Sequence, residues 1–253
     1  MSIISAVEYG ILRLTISRPA RRNTISGDMF CQIADLLDAA ADDPKVRVVL
    51  LKGGEDIFSA GADFEESLKT PKVIDEAMHR CFDALKRFPK PIIAQITGPC
   101  VGEAFAILLW CDLVYASNRA LFSIPSVALA RSPRFGAAFF MTLSAGYSRA
   151  AEKLLLSEPI SADEASEMRL ITAVVDEKHI ENVVAAKTAR LAVLPPQAVA
   201  ATKAVMHAAR DQWLSAGAEL EERVYERQAA TPEAAEALQA FVEGRKPVFH
   251  TDD

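Results

Sequence analysis

Apolar and polar positions alternate through residues 3–17 around Glu8-Tyr9-Gly10, which predicts two strands joined by a tight turn, the second spanning 11–16. Arg18-Pro19 ends the alternation. The period then lengthens: Phe30, Ile33, Ala34 and Leu37 fall on one face of a helix that Ser26 or Asp28 caps and that runs to about Ala41. Residues 46–52 are a short apolar run, the pattern of a strand covered on both faces. A helical pattern returns over 72–88, Pro89 and Pro91 break it, and Ile92–Ile96 predicts the next buried strand.

From Gly102 to Cys111 the chain is helical in pattern and apolar almost all round, so this helix belongs inside the core. A strand is expected at 113–116. The remainder is helical: 136–156, then 162–169 behind a Ser161/Glu164 capping box, then 177–193, 196–209 and 211–229. Strands alternating with helices, followed by helices alone, predict an α/β core over 1–195 and an α-helical C-terminal region over 196–253. In that region Trp213, Leu220, Val224 and Tyr225 form an apolar stripe, which either packs on its own core or covers a neighbouring subunit.

A length of 253 residues suffices for one large core, and the net charge of −6 argues against nucleic acid as partner. A local basic patch for a phosphorylated ligand is compatible with that charge. Cys31, Cys81, Cys100 and Cys111 lack CxxC or Cys/His spacing, which predicts free thiols, no metal and a reducing compartment. The N-terminus lacks a basic start followed by a long apolar run, and Asp112 stops the apolar stretch from Ala104 short of a membrane span. The expectation is a cytoplasmic protein that does not engage a membrane.

Two Gly/Ala-rich breaks follow apolar strands: Phe58-Ser59-Ala60-Gly61-Ala62-Asp63 and Gly98-Pro99-Cys100-Val101-Gly102-Glu103-Ala104. Such breaks can bring two backbone N–H groups to one ligand oxygen, as an oxyanion hole requires, and so point to chemistry on a carbonyl or thioester.

These segments resemble the crotonase superfamily, the enoyl-CoA hydratase/isomerase family. Arg18-Pro19-x-x-x-Asn23, the Phe58–Asp63 motif, Lys90-Pro91-Ile92-Ile93-Ala94 through Gly98, and Cys111-Asp112-Leu113-Val114-Tyr115-Ala116 all carry the likeness. Phe122-Ser123-Ile124-Pro125 and Leu156-Ser157-x-x-Ile160-Ser161-Ala162-x-Glu164-Ala165 extend it over nearly the whole chain. The resemblance implies a spiral of ββα units with a helical C-terminal region that trimerises, as a homotrimer or dimer of trimers. It implies an acyl-CoA substrate and no separate cofactor, coenzyme A entering as part of the thioester.

By position, the resemblance makes the backbone N–H groups of Ala62 and Glu103 the donors to an enolate. It places Arg21, Ala60, Gly61, Asp63, Phe64, Gly102, Ser126 and Arg134 along the substrate. Asp63 also suits a structural role, holding its own loop through backbone N–H groups.

The acid/base residues depart from the pattern. The two glutamates of the hydratases are replaced by Ala106 and Ser126. From Gly98 to Ser132-Pro133-x-x-Gly136 the chain is closer to the peroxisomal Δ3,Δ2-enoyl-CoA isomerases and their chromodomain-bearing relatives, whose single glutamate is replaced by Arg134. Arg134 has the fork to hold a second substrate carboxylate, and His79 and the side chain of Glu103 are candidate proton carriers. At the nucleotide end the resemblance puts Glu65 and Gly244 where relatives have lysine; Arg245 and Lys246 adjoin Gly244, and Arg21 and Arg22 offer local positive charge. Three readings stay open: a hydratase- or isomerase-type enzyme, a catalytically weak thioester-binding protein, and a specialised member such as a decarboxylase.

Overall fold

The computed structural model describes residues 2–249, apart from the side chains of residues 2, 212, 213, 215 and 216. The predicted hairpin is β1 (Ser2–Glu8) antiparallel to β2 (Ile11–Ser17), with Glu8 opposite Ile11. Tyr9 and Gly10 both take positive φ, 52° and 82°, the left-handed geometry that matches a two-residue turn to strand twist. Behind the hairpin stand β3 (Val48–Lys52), β4 (Ile92–Ile96), β5 (Cys100–Val101), β6 (Leu113–Ser117), β7 (Leu121–Ser123), β8 (Ile160–Ser161) and β9 (Ala173–Val175). The main sheet has the order β1-β2-β3-β4-β6-β9, parallel from β2 onward. A smaller sheet pairs β5, β7 and β8.

Both faces of the main sheet are covered, as the apolar run at 46–52 predicted. Val49, Leu51, Ile92, Ala94 and Ile96 join the main core with α1 (Gly27–Asp42) and α3 (Pro71–Arg87). Val48, Leu50 and Ile93 point the other way, against Ile180 and Val184 of α8 (Ile180–Val193). Phe30, Phe58, Phe105 and Phe122 are fully enclosed, and each contributes roughly 2 kcal/mol or more by leaving water. Cys81 and Cys100 are buried, and all four cysteines are free.

Between these elements lie α2 (Phe64–Lys69), α4 (Glu103–Leu109), α5 (Ala137–Ala145), α6 (Tyr147–Leu155) and α7 (Ala162–Glu167); α9 (Pro196–Ala229) and α10 (Pro232–Glu243) end the described chain. Helix α4 is buried from Ala104 to Leu109, and the Ser161/Glu164 capping box closes in both directions. The expected helix over 136–156 is two helices, because Gly146 at φ 80° turns the chain between α5 and α6. The expected helices at 196–209 and 211–229 are one helix, α9: no proline or cap interrupts Arg210-Asp211-Gln212. The Trp213 side chain expected on its apolar stripe lies outside the described residues. Helix α10 is an addition, started by the Thr231 side chain, which accepts from the Ala234 N–H, and stopped by Gly244 in the left-handed region. No helix among the described residues is long and apolar enough to cross a membrane.

Candidate active site

Strands β3 and β4 are parallel neighbours, so the loops leaving their C-terminal ends emerge side by side. That crevice is where open α/β sheets bind ligands. A parallel bridge between Ser59 and Cys100 zips the two loops together. The Phe58 and Ser59 N–H groups donate to Pro99 O at 3.0 and 3.2 Å, and Val101 N–H returns a bond to Ser59 O at 3.0 Å. Gly61, at φ 93°, must be glycine: a Cβ there would lie 2.9 Å from Val101 O.

The Arg18-Pro19-x-x-x-Asn23 segment clamps the first loop from the other side. Asn23 Oδ1 accepts from Arg18 N–H at 2.8 Å, its Nδ2 donates to Ile57 O at 3.2 Å, and Ser59 Oγ donates to Asn23 O at 2.7 Å. Arg18 Nη1 reaches Asp63 Oδ2 at 2.6 Å, while Asp63 Oδ1 accepts the Glu66 N–H at 3.2 Å and starts α2. Burial alone would raise the Asp63 carboxyl, but the Glu66 N–H and Arg18 outweigh it and hold the group below the usual carboxylate range. Asp63 therefore serves the loop and is not free for substrate.

Ala62, next along this clamped loop, donates its N–H to a carboxylate oxygen, Glu103 Oε2, at 3.2 Å. Glu103 opens α4, where its own N–H has no intrahelical carbonyl to serve. Ala62 and Glu103 are thus neighbours, and a side-chain oxygen of Glu103 lies on the Ala62 N–H. Gly102, at φ 60°, makes the turn into α4, and its N–H is tied to Ser123 O at 2.8 Å.

Two cavities meet here. One, of about 50 Å³, is lined by Gly102, Glu103, Ala106, Ser126, Arg131 and Arg134 among others. The other, of about 450 Å³, runs past Ala62, Ile74 and Met78 toward Glu226 and Ala230 on α9 and the turn after it. Phe64, Glu103, Arg131 and Tyr225 line both. Phe64 is held by Phe241 of α10, ring centroids 4.6 Å apart. Ala60 donates to Arg22 O at 3.1 Å and lines neither cavity. Arg21 also lines neither: it pairs with Glu65 on the exposed surface, so the acid at the nucleotide end neutralises the base expected there. Arg245 is likewise paired, with Glu236 and Glu243.

Arg134 lines the smaller cavity but is already engaged. Its side chain is 4% exposed, bonded to Asp75 at 2.5 Å and Glu222 at 2.7 Å, and packed 3.9 Å from the Tyr225 ring centroid. His79 Nε2 is 2.8 Å from the same guanidinium. Asp75, His79 and Glu222 are spaced as a metal could use them, yet Arg134 supplies the cation there. The expectation that Arg134 holds a substrate carboxylate loses its physical basis, since two protein carboxylates occupy the fork.

Arg131, Ser132 and Glu222 escaped the sequence reading. Ser132 lay inside a quoted motif without a role, and Glu222 was hidden beside the apolar stripe that carries Tyr225. Only the packing of α9 brings Glu222 to within 2.7 Å of Arg134. Glu221 beside it accepts from the N–H groups of Gly136, Ala138 and Phe139 at 2.6, 3.0 and 3.2 Å, anchoring α9 to the start of α5.

The family model described as Enoyl-CoA hydratase/isomerase matches residues 6–252. The chain belongs to the enoyl-CoA hydratase/isomerase family. It is therefore of the crotonase superfamily of acyl-CoA enzymes. It is similar to the 2,3-dehydroadipyl-CoA hydratase of Escherichia coli, 28% identical over 98% of both chains. It is 30% identical to the enoyl-CoA delta isomerase 2 of Rattus norvegicus, over 97% of this chain and 64% of that protein. The fold matches the crystal structure of an enoyl-CoA hydratase/isomerase from Pseudoalteromonas atlantica T6c, with a TM-score of 0.90 over 99% of this chain and 100% of that one at 28% identity.

Proposed function

We propose that this family member binds an acyl-CoA thioester with its carbonyl oxygen between the N–H groups of Ala62 and Glu103, and moves a proton at the adjacent carbon through an enolate. The observation that carries this reading is the carboxylate oxygen of Glu103 on Ala62 N–H at 3.2 Å: the donor is aimed at an anionic oxygen on this chain's own geometry. The start of α4 adds the positive end of the helix dipole at the same place.

The Glu103 side chain has two consequences. A thioester oxygen must displace it to reach Ala62, and once displaced it remains beside the thioester as a base. Asp75 and Glu222, which also line the larger cavity, are tied to Arg134, which leaves Glu103 the acid best placed at the hole. In the forward step the carboxylate takes the α-proton, the C–H electron pair moves into the enolate, and the oxyanion rests on the two N–H groups. Returning that proton to the α- or γ-carbon completes an exchange or a double-bond shift with one carboxyl. Hydration needs a second acid/base group, and Ala106 and Ser126 provide none. The same reading includes a trimer or a dimer of trimers, in which the exposed Val205, Met206 and Leu220 of α9 would be covered.

Deuterium incorporation at the α-carbon of hexanoyl-CoA in heavy water tests the proposal. Exchange well above the uncatalysed rate is expected, falling about 10²-fold or more in Glu103→Ala. Absence of exchange with thioester binding intact would replace this reading with that of a thioester-binding protein.

A further inference from the structure

Two polar groups of the smaller cavity are under-satisfied among the described residues: Arg131 has no carboxylate partner, and Ser132 Oγ has no hydrogen-bond partner. Arg131 donates to the hydroxyl of Tyr225 at 2.7 Å and lies 5.6 Å from that ring's centroid, and it forms no ion pair among the described residues. A guanidinium carries five donors in a fixed fork, so one bond to a neutral hydroxyl leaves it far from satisfied. Next in the chain, Ser132 Oγ is buried with no hydrogen-bond partner and lines the same cavity. A buried hydroxyl in that state is destabilising, and a ligand oxygen accepting its hydrogen bond would relieve it.

Contrast with Arg134 sharpens the assignment. Both arginines line the cavity and both pack on Tyr225, but Asp75 and Glu222 neutralise Arg134 alone. The free cation therefore sits three residues earlier than the position where the sequence suggested a carboxylate reader. It shares the cavity with Glu103, so a group bound there belongs to the same molecule whose carbonyl lies in the hole. A volume of about 50 Å³ is small, nearer to a polar head group than to an extended apolar tail.

We infer that the acyl chain of the substrate carries a second, free carboxylate, bound by the guanidinium of Arg131 and the hydroxyl of Ser132. A carboxylate presents the two acceptor oxygens that a guanidinium fork takes bidentately, and the Ser132 O–H can donate to one of them. The pairing also explains how a cavity that already contains the Glu103 carboxylate can tolerate a further negative charge: Arg131 is the countercharge. This inference rests on the CoA-thioester reading of the preceding section.

Calorimetric titration of the full chain with matched thioesters tests it: glutaryl-CoA against pentanoyl-CoA, and adipyl-CoA against hexanoyl-CoA. In at least one pair the carboxylated thioester should bind about tenfold tighter or more, as a charge-assisted bidentate contact gives. The ratio should fall to about one in Arg131→Gln, keep part of its value in Arg131→Lys, and drop about threefold in Ser132→Ala. Should Arg131→Gln fail to fold by thermal melting, the lysine and Ser132→Ala variants carry the same test. Equal affinities within both pairs for the wild type, or a preference that survives loss of the guanidinium, would overturn the inference and leave the thioester reading standing. Failure of the folded wild type to bind any of the four would overturn both.

Discussion

Glu221 and Glu103 place the same chemical group on the same kind of donor, a carboxylate on backbone N–H, at the start of α5 for Glu221 and in the loop ahead of α2 for Glu103. Glu221 reaches from α9 to three N–H groups at the start of α5, is 8% exposed, and lines neither of the two cavities. Glu103 holds one N–H, that of Ala62, where two cavities meet. Three short bonds in a closed place make a structural joint; one bond at an open place makes a seat that a ligand oxygen can take. The number of donors and the room beside them separate the two roles, since donor and acceptor types are alike. Burial pushes the Glu221 carboxyl above its ordinary range, and the three N–H groups only partly oppose that.

The largest effect should come from breaking the joint. Glu221→Ala leaves three N–H groups at the start of α5 without their acceptor and should cost about 3 kcal/mol, lowering the melting temperature by about 8 °C in calorimetry. A loss below about 1 kcal/mol would mean that water satisfies the start of α5 and that the joint is not structural.

The seat should respond in the opposite sense. Glu103→Ala frees the Ala62 N–H from its internal competitor, so hexanoyl-CoA should bind about tenfold tighter even as proton exchange falls. Binding that weakens in this variant would show that the carboxylate helps to hold the thioester, and the contrast with Glu221 would collapse.

A third carboxylate on backbone N–H, Glu164, sharpens the comparison with the smallest effect. It accepts from Ser161 N–H at 2.8 Å and pairs with Lys153 at 3.0 Å on the surface, and the Ser161 N–H first, then Lys153, bring its carboxyl down to about 2. With the folded value depressed below the ordinary 4.5, its stabilisation is present above 4.5 and is lost as pH falls toward about 2. Glu164→Gln should flatten that acid limb of the urea midpoint against pH. Glu221, with its folded value raised, has the reverse slope: as pH rises from the ordinary value through the raised one, its ionisation disfavours the fold. An unchanged acid limb in Glu164→Gln would remove this exposed member from the comparison.

Much of the fold was legible because period and punctuation report burial directly. The run at 46–52 became β3 with α8 on one face and the main core on the other, and the all-round apolar pattern after Gly102 became the buried helix α4. The two glycine-bearing breaks were legible for the same reason: Gly61 is required by the 2.9 Å approach of Val101 O. Short elements such as β5, β8 and α2 were not, because two to six residues carry too little period to distinguish strand from loop.

By itself, then, the sequence determined the family, the buried strands and the pair of glycine-bearing loops that lie side by side, since all three follow from local pattern and from residues that only glycine or a small side chain can replace. Tertiary structure alone decided which charges are free. Arg21, Asp63 and Arg134 became neutralised by Glu65, Arg18 and the Asp75–Glu222 pair, whereas Arg131 has no ion pair among the described residues. A guanidinium's availability depends on whether a carboxylate from a distant segment comes within reach, here from α2, α3 and α9, and no local pattern contains that distance.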